Sequence, residues 1–173
     1  RAAARAGAAP AATARPHPPD LAIYRAAEIS AMDMARLARD KTFVLLAFGG
    51  IEPNGPHLPV GASGLVAEAL TQATARRLRE LKPDFSVLIV PPVAYSTAPA
   101  VEWGGVHLHP TALYMGSDDF RNLLYGTLLR FGEGVWRNVA FISYDYSPEF
   151  HRRLDEAARY FTDGYGLKMM NAS

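Results

Sequence analysis

Thr42-Phe43-Val44-Leu45-Leu46-Ala47-Phe48-Gly49-Gly50 is a continuous apolar run stopped by two glycines. It lacks the in–out alternation of a strand with one wet face, so it reads as a strand buried on both sides. Phe85–Val90 repeats the pattern and is stopped by Pro91-Pro92, which cannot donate to a ladder. Val139–Ile142 is a third such run. Helical stripes lie between and around them. Residues 65, 66, 69, 70, 73 and 78 form one apolar face over Leu65–Leu81. Ser117-Asp118-Asp119 caps a helix whose core face is Phe120, Leu123, Leu124, Thr127, Leu128 and Phe131, ended by Gly132. Ser147-Pro148 supplies an N-cap with proline at the first helical position. Phe150, Leu154, Ala157, Ala158 and Phe161 continue that helix to Gly164. A shorter helix follows Ser30, with Asp33 in its first turn.

Apolar strands alternating with helices predict an α/β fold: a three-layer sandwich with a mostly parallel sheet flanked by helices. Ligands of open parallel sheets sit at the carboxyl ends of the strands. The segments leaving those ends, Gly49–Ser63, Pro91–Pro110 and Ser143–Ser147, are expected to converge on one cleft.

The chain has 173 residues, enough for one domain with a real core over residues 20–173. Residues 1–19 are an Ala/Pro/Arg tract with nothing large and apolar to bury. The tract fits a flexible leader. It fits equally the stretch left after an export signal is cleaved, which leans toward a periplasmic or secreted protein without fixing the compartment. A net charge of +1 gives no electrostatic reason to expect nucleic acid or an anionic membrane as partner. With no cysteine, disulfides, thiolate nucleophiles and Cys-ligated metal centres are excluded. No apolar run approaches the ~20 residues of a transmembrane helix. No Gly-x-Ser-x-Gly elbow, P-loop or dinucleotide fingerprint is present.

The loop after the first strand reads Glu52-Pro53-Asn54-Gly55-Pro56-His57-Leu58-Pro59-Val60-Gly61-Ala62-Ser63. It resembles the first motif of the creatininase (creatinine amidohydrolase) family, Glu-Gln-His-Gly-Pro-His-Leu-Pro-Leu-Gly-Thr-Asp. Gly55, Pro56, His57, Leu58, Pro59 and Gly61 keep its frame. Pro91-Pro92-Val93-Ala94-Tyr95 is similar to the family's Pro-Pro-x-x-Tyr. Gly104-Gly105-Val106-His107-Leu108-His109-Pro110 is loosely similar to its Gly-Thr-Leu-Thr-Leu-Ser-Pro. Ser143–Pro148 falls where the family has Asn-Gly-His-Gly-Gly-Asn or a Glu-containing variant. The resemblance spans residues 28–171 and stops short of the family's C-terminal motif. It implies a creatininase-like fold, metal-dependent hydrolysis of a cyclic amide or other C–N bond, and assembly into oligomers.

The resemblance also places the family's metal ligands on Glu52, Asn54, Ser63, Asp145 and Ser147. Glu52 is unchanged and Asp145 is still a carboxylate, whereas Asn54, Ser63 and Ser147 are degenerate ligand positions. Two dications about 3.5–4 Å apart need a shared anionic ligand between them. A serine hydroxyl or an asparagine amide supplies no charge and is a poor partner for zinc.

Three readings follow, the last of them a small-molecule binding module that uses the cleft without chemistry. In the first, the protein is a non-catalytic, creatininase-like accessory or structural subunit of a homo- or hetero-oligomer, with no cofactor. In the second, a remodelled amidohydrolase holds one divalent metal (Zn, Mn or Fe), with Glu52 or Asp145 as catalytic candidates. His107-Leu108-His109 puts two imidazoles on one side of an extended segment, and Glu52, His57 or Asp145 could complete a mononuclear set. The plainer reading has His57, His107 and His109 as hydrogen-bonded loop residues, and Glu52 as a structural carboxylate serving its own loop. Tyr144 and Tyr146 flank Asp145 and are expected to pack against Trp103 or, failing that, to line a pocket or partner surface, and Trp136 is expected as a core or interface aromatic.

Overall fold

A computed structural model describes residues 22–54, 56–97, 113–133, 136–145 and 147–173. Its main sheet has five strands: β1 (Ile23–Arg25), β2 (Thr42–Phe48), β3 (Ser86–Val93), β6 (Asn138–Ser143) and β7 (Lys168–Asn171). Their order is β1-β3-β2-β6-β7 and every pairing is parallel. Two short strands, β4 (Ser96–Thr97) and β5 (Tyr114–Met115), form a separate parallel pair beyond the carboxyl edge. The helices are α1 (Ala31–Arg36), α2 (Ala62–Leu81), α3 (Ser117–Glu133) and α4 (Pro148–Tyr165).

β2 lies at the centre because every one of its residues from Val44 to Phe48 is apolar and can be buried on either face. Val44, Leu46 and Phe48 share one core with Phe141, with Phe120, Leu124 and Leu128 of α3, and with Phe150, Leu154 and Phe161 of α4. Aromatic rings order that core. Phe48 meets Phe141 edge-on at 5.7 Å, and Phe120 lies 4.9 Å from Phe150. Each such side chain contributes about 1.5–3 kcal/mol by leaving water. On the opposite face Leu45, Val87 and Ile142 pack with Ala75 of α2. The α/β sandwich expected from the sequence is therefore the observed architecture. Trp136 is buried as expected, with the Arg39 guanidinium 3.9 Å from its ring centroid.

Several sequence expectations need correction. Apart from Leu78, which packs on the core, the apolar stripe on α2 is not its buried face. Leu65 and Leu70 are 62% and 43% exposed, while Ser63, Ala67, Thr71 and Ala75 face the sheet. Small side chains at four-residue spacing let this helix sit close to the strands, and bulky ones there would hold it off. β3 does not stop at the prolines but runs through Pro91-Pro92 to Val93. A register shift opposite Leu46–Phe48 accommodates them, because a bulge needs no ladder donor at that point. α3 begins at Ser117 itself and α2 begins at Ala62, three residues before the apolar stripe. β1 and β7 carry too little apolar sequence to have been predicted.

α4 shows the expected start: Ser147 is its N-cap, Pro148 its first residue, and the Ser147 hydroxyl accepts from the Phe150 N–H at 3.5 Å. It ends at Gly166, whose φ of 65° lies in the left-handed region that glycine adopts without strain. Among the described residues β7 is an edge of the sheet. The Met169 N–H and C=O on that edge are both met by the Thr162 hydroxyl of α4, at 3.3 and 3.4 Å. Among the described residues no helix is long and apolar enough to cross a membrane.

Candidate functional site

The chain leaves β2 through Gly49 and Gly50, and both glycines are required by contact. A Cβ on Gly49 would sit 2.4 Å from the Gly64 Cα, so the loop passes directly against the first turn of α2. A Cβ on Gly50 would sit 2.8 Å from the Ser96 Cβ, which brings the exits of β2 and β3 together. The loop is then pinned by backbone bonds. Glu52 N–H donates to the Val60 carbonyl at 2.7 Å, and Leu113 N–H donates to the Ile51 carbonyl at 2.8 Å.

Within this frame Glu52, Asn54 and Ser63 form a closed cluster. The buried Ser63 hydroxyl donates to Glu52 Oε1 at 2.7 Å. The Asn54 amide nitrogen lies 3.1 Å from the Glu52 carbonyl and 3.3 Å from Ser63 Oγ. Burial pushes the Glu52 carboxyl above its ordinary pKa; the Ser63 bond opposes that, and the neighbouring charge of Asp145 adds to it.

Asp145 belongs to a second cluster at the exit of β6. It is only 3% exposed. Its Oδ2 accepts from the Ser96 hydroxyl, and its Oδ1 accepts from the Ser147 N–H at 2.7 Å. Its own N–H donates to Ser143 Oγ at 3.0 Å. Ser147 Oγ lies 3.4 Å from Thr97 Oγ1, a second link between the exits of β3 and β6. His151, one turn into α4, bonds the Asp145 carbonyl through Nε2, and Asn171 of β7 approaches its Nδ1 at 3.4 Å. The Asn171 amide also donates to Asp155 Oδ1 at 3.1 Å.

Of the residues singled out from the sequence, Glu52, Asn54 and Ser63 meet in one cluster and Asp145 and Ser147 in another. His57 is exposed on the loop. His107, His109, Trp103 and Tyr146 lie outside the described residues, and Tyr144 is 43% exposed. Ser96, Thr97 and His151 were not anticipated. Ser96 directly follows the Pro-Pro-x-x-Tyr stretch, and His151 sits four residues after the N-cap of α4, which is the signal that could have found them.

Comparison with known proteins now bears on this geometry. A family model described as Creatininase: Creatinine amidohydrolase matches residues 27–160. The chain belongs to the creatininase family. Among solved structures, a creatinine amidohydrolase (creatininase) superposes with a TM-score of 0.68 at 17% identity, covering 86% of this chain and 57% of its own. A protein of Bacteroides fragilis NCTC 9343, provisionally assigned as a creatinine amidohydrolase, gives 0.67 at 13% identity over 87% and 55%. A manganese form of creatininase gives 0.65 at 15% identity over 85% and 57%. These likenesses establish the shared fold. The chain spans a little over half the length of each of these relatives. No curated protein sequence matches it.

The family implies divalent metal, and the described donors can be tested against that. Both oxygens of Asp145 already accept hydrogen bonds, and one is held by a backbone N–H that cannot turn away. Asn54 directs its amide N–H groups into the cluster, where a cation would need lone pairs. Ser63, where the family has its bridging carboxylate, is a donor to Glu52. Among the described residues no three His, Asp or Glu side chains converge on one point. This donor set does not fit two bridged dications.

Proposed function

We propose that this creatininase-family chain is a non-catalytic member, acting as an accessory or structural subunit of an oligomeric assembly. One observation carries the reading. The residues at the family's ligand positions spend their donors and acceptors on one another, as in the Glu52–Ser63–Asn54 cluster. Such a pocket offers few free donors to an ion, and its neutral hydroxyls and amide cannot offset the repulsion between two dications.

The test is metal analysis of the purified chain together with an activity screen. Sub-stoichiometric zinc, manganese and iron, and no hydrolysis of creatinine or other cyclic amides with those metals added, are the expected results. Stoichiometric tightly held metal accompanied by turnover would refute the reading. Light scattering then tests the assembly, with a strictly monomeric chain counting against a subunit role.

A second reading, the remodelled amidohydrolase with one divalent metal, is favoured by a separate observation: two of the family's ligand positions keep carboxylates, Glu52 and Asp145, near enough for the charge of Asp145 to act on Glu52. It requires that Glu52→Gln and Asp145→Asn each abolish turnover.

A further inference from the structure

We infer that the former ligand positions have become two hydrogen-bonded staples that hold the carboxyl edge of the sheet together in place of metal ions. The inference rests on the non-catalytic reading and says what the old site does now. A bridged metal pair ties together the loops that supply its ligands. Here the same segments are tied by hydroxyls. The first staple is Ser63 with Glu52 and Asn54, and it joins the loop after β2 to the first turn of α2. The second is Ser96 and Thr97 with Asp145 and Ser147, and it joins the exit of β3 to that of β6 and to the cap of α4.

Burial makes the staples consequential. Ser63, Ser96, Thr97 and Asp145 are between 1% and 3% exposed, so water cannot replace a lost partner without entering the core edge. The staples also sit where the backbone is tightest, beside the Gly49–Gly64 and Gly50–Ser96 contacts. Neutral hydroxyls and an amide are compatible with two nearby carboxylates only because each acid accepts bonds from them. A divalent ion would have to break those bonds before it could enter.

The experiment is thermal and urea unfolding of the full chain, as wild type, Ser63→Ala and Ser96→Ala. Each is measured after chelation with EDTA and again with excess ZnCl2 or MnCl2. Hydrogen exchange at the Ser147 amide, which donates to Asp145, is followed in parallel. The wild type is expected to melt at one temperature in all three conditions. Each alanine variant should lose about tenfold or more in its folding constant, with no rescue by metal. Ser96→Ala should in addition speed exchange at Ser147. Where an alanine variant does not fold, Asp145→Asn serves instead, because its amide can still accept from Ser147 and donate to Ser96; wild-type-like melting in EDTA supports the staple. A wild type whose melting temperature falls in EDTA would sink both the inference and the reading beneath it. A metal-free wild type whose alanine variants melt unchanged, with Ser147 equally protected, would sink the inference alone.

Discussion

Gly49→Ala is the sharpest perturbation the fold offers. The added Cβ would lie 2.4 Å from both the Cα and the N of Gly64 and 2.7 Å from the Ser63 carbonyl carbon. All three are backbone atoms, so no side chain can rotate out of the way. Ordinary carbon contacts need about 3.5–4.0 Å, so the loop or the start of α2 must move by about 1 Å. That movement pulls Ser63 away from Glu52 as well. Overpacking against rigid neighbours costs about 1–3 kcal/mol, and this site belongs at the upper end. At about 2–4 °C per kcal/mol for a chain of this size, melting should fall by about 6–12 °C. Gly126→Ala is the matched control. Gly126 is exposed in the middle of α3 with nothing within 4 Å of a new Cβ, so alanine should stabilise by about 0.5–1 kcal/mol. Circular-dichroism melts and urea midpoints of the two variants decide the matter. A Gly49→Ala protein melting within a degree of the wild type would refute the close packing of loop and helix.

Glu52→Gln tests the electrostatics of the cleft. Because its folded pKa is raised above 4.5, the native state holds this proton more tightly than the unfolded chain does. Stability therefore falls as pH rises from 4.5 through the raised value. The glutamine variant should lack that slope and match or exceed the wild type at pH 7, as urea unfolding between pH 4 and 8 would show. Glu149 behaves oppositely, since hydrogen bonds from Arg152 and then Ser117 lower its pKa to about 2. Its contribution is full above pH 4.5 and lost as pH falls through about 2, so Glu149→Gln should cost about 0.5–1 kcal/mol near neutrality and little at pH 2. Asn171→Ala removes partners from His151, Asp155 and Ser173, and the Ser143 N–H is in turn held by Ser173 Oγ at 3.0 Å. It should destabilise by about 1–2 kcal/mol and speed hydrogen exchange at Ser143.

The central layers were legible because period and composition are local properties. Thr42–Phe48 announces a doubly buried strand, and Ser147-Pro148 announces a helix start, whatever else the chain does. The face of α2 was not legible in this way. Burial there is set by how near the helix approaches the sheet, and the Gly49–Gly64 contact that sets it is a tertiary fact. The same holds for β3, whose prolines look like a stop until the bulge opposite Phe48 is seen. At the site, the motif located Glu52, Asn54, Ser63, Asp145 and Ser147 because their spacing within two loops is a sequence property. Ser96 and His151 bond Asp145 across 49 and 6 positions, and only the assembled strands bring Ser96 there.

The hydroxyl of Thr162 has a consequence for how copies of this chain can meet. An open strand border ordinarily invites another chain to extend the ladder, the usual route to runaway association. At Met169 that invitation is withdrawn, because the outward peptide groups are already occupied from within. A neighbour meeting this border at Met169 must then do so through side chains, whose shape and charge can be selected, rather than through main chain, which pairs with almost anything.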